Sequence, residues 1–255
     1  MAEPVLHHES TGDESAPVLL LGCSLGTALA MWEPQVAPLA EHLRVIRYDH
    51  RGHGASPAPA GPYEIADLAR DVLALMDRLG LERASLGGVS LGGMVAMWLG
   101  ANAPDRVERL VLCCTSAHMP PASAWAERAA AVREAGTTEV VADAVVERWL
   151  TSAFAQEHPE TQAWLRAMLL ATDPDGYAAC CGAIERMDLR DALTSIAAPT
   201  LVVSAADDQA APPEHQHALA DAIPSARLET ISPAAHIGSV ERAEEVTRLI
   251  LDHMR

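Results

Sequence analysis

Apolar residues along this chain follow two rhythms. Short continuous runs such as VLLLG at 18–22 and TLVVS at 200–204 read as buried strands, each ending in a loop of small or polar residues. Longer stretches carry apolar residues at three- and four-residue steps. Ile65, Leu68, Ala69, Val72, Leu75, Met76 and Leu79 mark an amphipathic helix over 63–79, closed by Gly80. In order, the pattern predicts a strand from Val18, a helix from near Glu33, a strand over 43–48, the 63–79 helix, a strand over 84–89, a helix over 91–101 and a strand over 107–113. Between about His118 and Leu193 the strands give way to alanine-rich helical segments holding Trp125, Trp149, Phe154 and Trp164. Strand pattern resumes at Pro199, followed by a helix over 213–222, a strand over 226–231 and a last helix from about Ala243. Strand and helix in alternation imply an α/β fold: a mostly parallel central sheet with helices on both faces. The expected division is a core of 1–117 and 194–255 interrupted by a helical cap insertion of 118–193, with a pocket between the two.

The loops after the expected strands carry the candidate chemistry. Gly88-Val89-Ser90-Leu91-Gly92 fits G-x-S-x-G between a strand and a helix, where a sharp turn lifts a nucleophilic hydroxyl above the sheet edge. The amide of Leu91, at the helix start, is placed to meet a developing oxyanion. Acyl transfer also needs a base and an acid that follow the serine in chain order. His236 fits the base, because Ala234-Ala235-His236-Ile237-Gly238 is a small-residue loop after the final strand; His118 is the rival. Asp207 and Asp208 both lie just past TLVVS, and neighbouring side chains on extended backbone point to opposite sides. The spacing from Asp208 to Pro212 favours Asp208, with Asp207 as the alternative. The loop Cys23-Ser24-Leu25-Gly26-Thr27 offers the second oxyanion amide, most readily at Leu25, with Cys23 and Ser24 left open. His50 and His53 precede the serine in a polar loop and read as structural hydrogen-bonders.

Composition narrows the partners. The formal charge of −17 opposes nucleic acid and anionic membrane surfaces, and every one of the 18 basic residues is an arginine. Without lysine there is no Schiff-base chemistry on this chain. The five cysteines include the adjacent pairs Cys113/Cys114 and Cys180/Cys181, a spacing that suits neither a zinc site nor a disulfide framework, so buried thiols and no metal or cofactor are expected. Cys23 as a nucleophile is a minor alternative. No apolar stretch of membrane-spanning length and no signal-peptide pattern occur, which leaves the cytoplasm as the expected compartment.

With these residues placed, nearly the whole chain resembles the 3-oxoadipate enol-lactone hydrolases of the β-ketoadipate pathway, members of the α/β-hydrolase superfamily. The pieces that carry the likeness are GCSLGTALAMWEPQ at 22–35, RYDHRGHGAS at 47–56, GVSLGGMVAMWL at 88–99, ERLVLCCTSA at 108–117, and the cap segments ERWLTSAF and GYAACCGAI. RGHG and GVSLGG are shared by many α/β-hydrolases; SLGT followed by MWEPQ, and the cap segments, are more particular. The acid loop departs from the family, which more often has a glycine before the acidic residue where this chain has Ser204-Ala205-Ala206. The resemblance implies hydrolysis of an enol-lactone to a linear 3-oxo dicarboxylate, with Ser90 as nucleophile, Asp208 as acid, His236 as base and Leu25 and Leu91 as oxyanion amides. It also implies a carboxylate-bearing lactone as partner, for which Trp125, Arg128 and the Arg148-Trp149 pair are candidate cap contacts. A carboxylesterase, an acyl-homoserine lactonase or a cofactor-free perhydrolase would keep the same triad, and a non-catalytic small-molecule receptor on this scaffold is the alternative of a different class. A homo-oligomer is left open.

Overall fold

A computed structural model describes residues 4–255 of the chain. The strands are β1 (His8–Thr11), β2 (Val18–Gly22), β3 (Arg44–Tyr48), β4 (Ala84–Val89), β5 (Val107–Cys113), β6 (Thr200–Ala205) and β7 (Ala226–Ile231). The helices are α1 (Glu33–Ala40), α2 (Ile65–Arg78), α3 (Leu91–Asn102), α4 (Ala122–Ala135), α5 (Glu139–Val146), α6 (Ser152–Glu157), α7 (Pro159–Ala171), α8 (Pro174–Arg186), α9 (Pro213–Ala222), α10 (Gly238–Glu241) and α11 (Ala243–Met254). Strands β2 to β6 follow the apolar runs, because a strand buried along most of its length has little polar side to show, whereas β7 at the sheet edge is largely half-exposed or exposed.

One seven-stranded sheet results, in the order β1-β3-β2-β4-β5-β6-β7. All neighbours are parallel except β1, which runs antiparallel to β3 with His8 opposite Tyr48. Sequence pattern does not predict β1. Its residues, His-Glu-Ser-Thr, are polar and partly exposed, so backbone pairing at the sheet edge, not side-chain burial, holds it.

The order of the strands positions the site. From β2 the chain winds one way to β3 and then crosses back to β4 on the other side, so the loops leaving β2 and β4 splay apart at the carboxyl edge of the sheet. Those loops hold Cys23–Thr27 and Ser90. Helix α3 begins at this crevice and packs on β2, β4 and β5; it is apolar on nearly every side and therefore sinks into the core. Each fully buried leucine of β2 beneath it, Leu19, Leu20 and Leu21, contributes about 1.5–3 kcal/mol by leaving water.

Between β5 and β6 the chain leaves the sheet for α4 to α8, which pack on one another, α4 against α8 and α5 against α7. None of the helices is long and apolar enough to cross a membrane, among the described residues.

Candidate active site

Ser90 joins β4 to α3 with φ of 53° and ψ of −112°, a conformation that costs a non-glycine residue roughly 1–3 kcal/mol. The surroundings hold it there. The Ser90 amide donates to the Cys113 carbonyl at 3.0 Å, and the Ser90 carbonyl accepts from the Met94 amide at 2.9 Å and from the Thr115 hydroxyl at 2.7 Å. The flanking glycines of the motif are required by space. A Cβ on Gly88 would lie 2.3 Å from the Gly92 carbonyl carbon, and one on Gly92 would lie 2.4 Å from the Gly22 oxygen. Helix and strand can therefore approach closely enough for the Gly92 amide to reach the Cys23 carbonyl, at 3.0 Å.

Beyond β6 the chain turns sharply, the Asp208 amide donating to the Ala205 carbonyl at 3.2 Å. This turn separates the two aspartates. Asp208 is buried, and its Oδ1 accepts from the amides of Ala210 and Ala211 at 2.8 and 2.9 Å. Its Oδ2 lies 2.9 Å from His236 Nδ1, with Oδ1 at 3.1 Å. Asp207 is exposed and instead accepts from the Ala234 amide at 3.3 Å. With Nδ1 turned to the carboxylate, a proton held there meets the Asp208 oxygens and leaves Nε2 as the ring nitrogen free to accept.

Ser90 and His236 both line one small cavity of about 50 Å³, together with Ser24, Leu25, Trp125, Arg128, Arg148, Trp149 and Tyr177. No hydrogen bond joins the Ser90 hydroxyl to His236 among the described residues; catalytic bonds of this kind often close only when substrate is bound. The amides of Leu25 and Leu91 donate to no protein acceptor among the described residues and so are free for a ligand. His118 is elsewhere, in a β-bridge with Asp188.

Two histidines of the loop after β3, His50 and His53, fix the Leu25 segment. His50 Nε2 lies 3.1 Å from the Cys23 carbonyl, and His53 Nε2 accepts from the Gly26 amide at 3.0 Å. Burial holds both rings neutral, pushing His50 down to about 3 and His53 below its ordinary value. Burial, aided by Asp49, pushes the Cys23 thiol up to about 12, so it is not a thiolate at neutral pH. All five cysteines are free and buried.

The far wall of the cavity is cationic. The Arg128 guanidinium sits 4.6 Å from the Trp125 ring centre and beside the buried Tyr177 hydroxyl. Arg148 donates through Nε to the Ala144 carbonyl at 3.0 Å; burial first, then the charge of Arg128, pulls its pKa down. Neither makes an ion pair among the described residues, in a chain of net charge −17. Trp125, Arg128 and Trp149, the cap contacts that the resemblance implies, line this cavity, while the support given by Gln216 carries no signal in the sequence. Gln216, fully buried, donates through Nε2 to the carbonyls of Thr115 and Ala211 at 2.7 and 3.0 Å, tying the loop after β5, whose Thr115 bonds Ser90, to the loop of Asp208.

Residues 16–168 match the family described as alpha/beta hydrolase fold. The chain is 37% identical over 239 residues to 3-oxoadipate enol-lactonase 2 of Acinetobacter baylyi, covering 94% of this chain and 89% of that one. Among solved structures it is similar to the enol-lactonase from Burkholderia xenovorans LB400, at 43% identity and a TM-score of 0.95, over 98% of this chain and 96% of that one. A thermophilic esterase from Thermogutta terrifontis, solved with malate bound, is 31% identical with a TM-score of 0.93, over 98% and 93% of the two chains.

Proposed function

We propose that this chain, which belongs to the α/β-hydrolase family, is an enol-lactonase that opens 3-oxoadipate enol-lactone to 3-oxoadipate. The observation that carries this reading is that Ser90 and His236 share one cavity with Arg128 and Arg148, neither of which makes an ion pair among the described residues. It is supported by the enol-lactonase relatives over nearly the full chain.

The chemistry follows from the geometry. His236 Nε2 takes the proton as Ser90 Oγ attacks the lactone carbonyl, and Asp208 stabilises the imidazolium that forms. Negative charge gathers on the carbonyl oxygen, where the amides of Leu25 and Leu91 receive it. Collapse breaks the ring C–O bond, the enol oxygen takes the proton from His236, and the enol passes to the ketone. Water, deprotonated by His236, then attacks the acyl-Ser90 carbonyl, and His236 returns the proton to Ser90 Oγ as that ester bond breaks and the acid leaves. The substrate's free carboxylate lies against Arg128 and Arg148, with Trp125 and Trp149 as apolar walls. Residues 118–193 act as a cap. A cavity of about 50 Å³ holds a few waters, so admitting a six-carbon lactone requires the cap to shift. Arg148 also lines a neighbouring groove of about 370 Å³ with Glu147, Asp207 and Gln209.

Removing the cations tests the orientation. Arg128→Ala and Arg148→Ala should each raise KM for the enol-lactone by roughly 10–100-fold, the loss of one charge-assisted contact, and change KM for a neutral aryl ester less than about threefold. Initial rates on both substrates measure this. Equal losses on the two would remove the arginines from carboxylate binding.

A further inference from the structure

His236 sits in a loop between β7 and α10 with little regular structure of its own, so what fixes the ring comes from outside the loop. On one side the Ala235 amide donates to Glu241 Oε2 at 2.9 Å. On the other the Ile237 amide donates to the Trp149 carbonyl at 2.8 Å. Glu241 in turn accepts from the Thr151 amide, at 3.3 Å to both carboxylate oxygens, and from the Thr151 hydroxyl. Both amides that flank His236 therefore lead to one short stretch, Trp149 to Thr151, next to the cavity-lining Arg148.

Glu241 is itself held in place. It ends α10, whose Ser239 carbonyl accepts from Nε2 of the fully buried Gln35 at 2.6 Å. Charge-assisted bonds from a carboxylate to backbone amides are among the stronger contacts a side chain makes. Here a single carboxylate spans two segments far apart in sequence, and one of them carries His236.

From this geometry we infer that Glu241 is a positioning residue: it registers the substrate-facing wall, Arg148 and Trp149, against His236, so that the base and the carboxylate-binding side of the cavity keep one spacing. The inference rests on the reading of His236 as the base. Glu241 touches no substrate and acts through Ala235 and Thr151.

Two rates separate this role from a purely structural one: kcat/KM on the enol-lactone, and the second-order rate at which a small neutral fluorophosphonate labels Ser90, which needs His236 but not the cap. Glu241→Ala should lower both by about 10–100-fold, the scale of a catalytic group displaced by about an ångström. Thr151→Val leaves the Ala235 bond intact, so labelling should stay within about twofold while lactone kcat/KM falls by about tenfold. Thr151→Ser, which keeps the hydroxyl, should recover lactone turnover. The double variant of Glu241→Ala with Thr151→Val should be no slower than Glu241→Ala alone, since both remove one shared contact. The inference is overturned if Glu241→Ala keeps both rates within about threefold of the parent while its Tm falls, or if Thr151→Val slows labelling as much as lactone opening. A parent protein labelled at Ser90 that leaves the lactone intact would instead refute the substrate reading, and the labelling rates would still test Glu241.

Discussion

Ser90→Ala should lower kcat on the enol-lactone by roughly 10⁴- to 10⁶-fold with KM near that of the parent, because the loss falls on the transition state and not on binding. The Ser90 side chain adds little to the fold. Its backbone bonds to Cys113, Met94 and Thr115 use only main-chain atoms of Ser90, so alanine keeps all of them. Melting temperature should therefore stay within a few degrees of the parent, equivalent to about 1 kcal/mol or less. Stopped assays at saturating lactone, with circular dichroism as the folding control, measure both quantities. A variant that keeps more than about a hundredth of the parent kcat would mean that water is activated without the serine, with His236 as a direct general base.

The second large effect separates the two aspartates. Asp208→Asn keeps the volume but replaces one lone-pair oxygen with an NH₂ group, which favours the wrong imidazole tautomer at His236 and leaves the imidazolium without its counter-charge. A fall in kcat of about 10⁴-fold is expected near neutral pH. Asp207→Asn, one residue away, should change kcat by less than about threefold, since exposed substitutions away from such networks have small effects. The Asp207 side chain accepts from the Ala234 amide, a bond that an asparagine oxygen can accept as well, and the Asp207 amide keeps its own bond to the Ala234 carbonyl. Comparable losses in both variants would show that the acid loop moves as a unit, and a large loss in Asp207→Asn alone would reverse the assignment.

Much of this was legible in the sequence because it depends on local pattern. Strands β2 to β6 are mostly buried runs, and α2 shows its buried face at helical spacing, so both follow from which residues avoid water. The likeness to the enol-lactone hydrolases was also readable, in segments such as GVSLGG and ERWLTSAF, and the relatives bear it out. Strand β1 was not. Its four polar residues carry no burial signal, and only its pairing with β3 makes it a strand.

The candidate site divides along the same line. Ser90 and His236 could be named because chain order and loop composition mark them. Choosing Asp208 over Asp207 needed the spacing to Pro212; the turn that buries it, from the Asp208 amide to Ala205, has no signature of its own. The supporting residues were out of reach. Gln216 lies on a helix that reads as solvent-facing, beside exposed His217, yet it bonds to Thr115, 101 positions earlier. Glu241 meets Thr151 across 90 positions. Such partners are set by the folded chain and leave no periodic trace.

The central claim is that the cavity is built for a carboxylate-bearing enol-lactone and not for esters in general. The most direct test is kcat/KM of the purified protein on 3-oxoadipate enol-lactone, followed by loss of its ultraviolet absorbance, against the same constant on a short neutral aryl ester. Contact of the carboxylate with Arg128 and Arg148 should favour the lactone by at least about 10²-fold, the worth of one to two charge-assisted bonds. A preference for the aryl ester would contradict the account and point to a general carboxylesterase on the same triad.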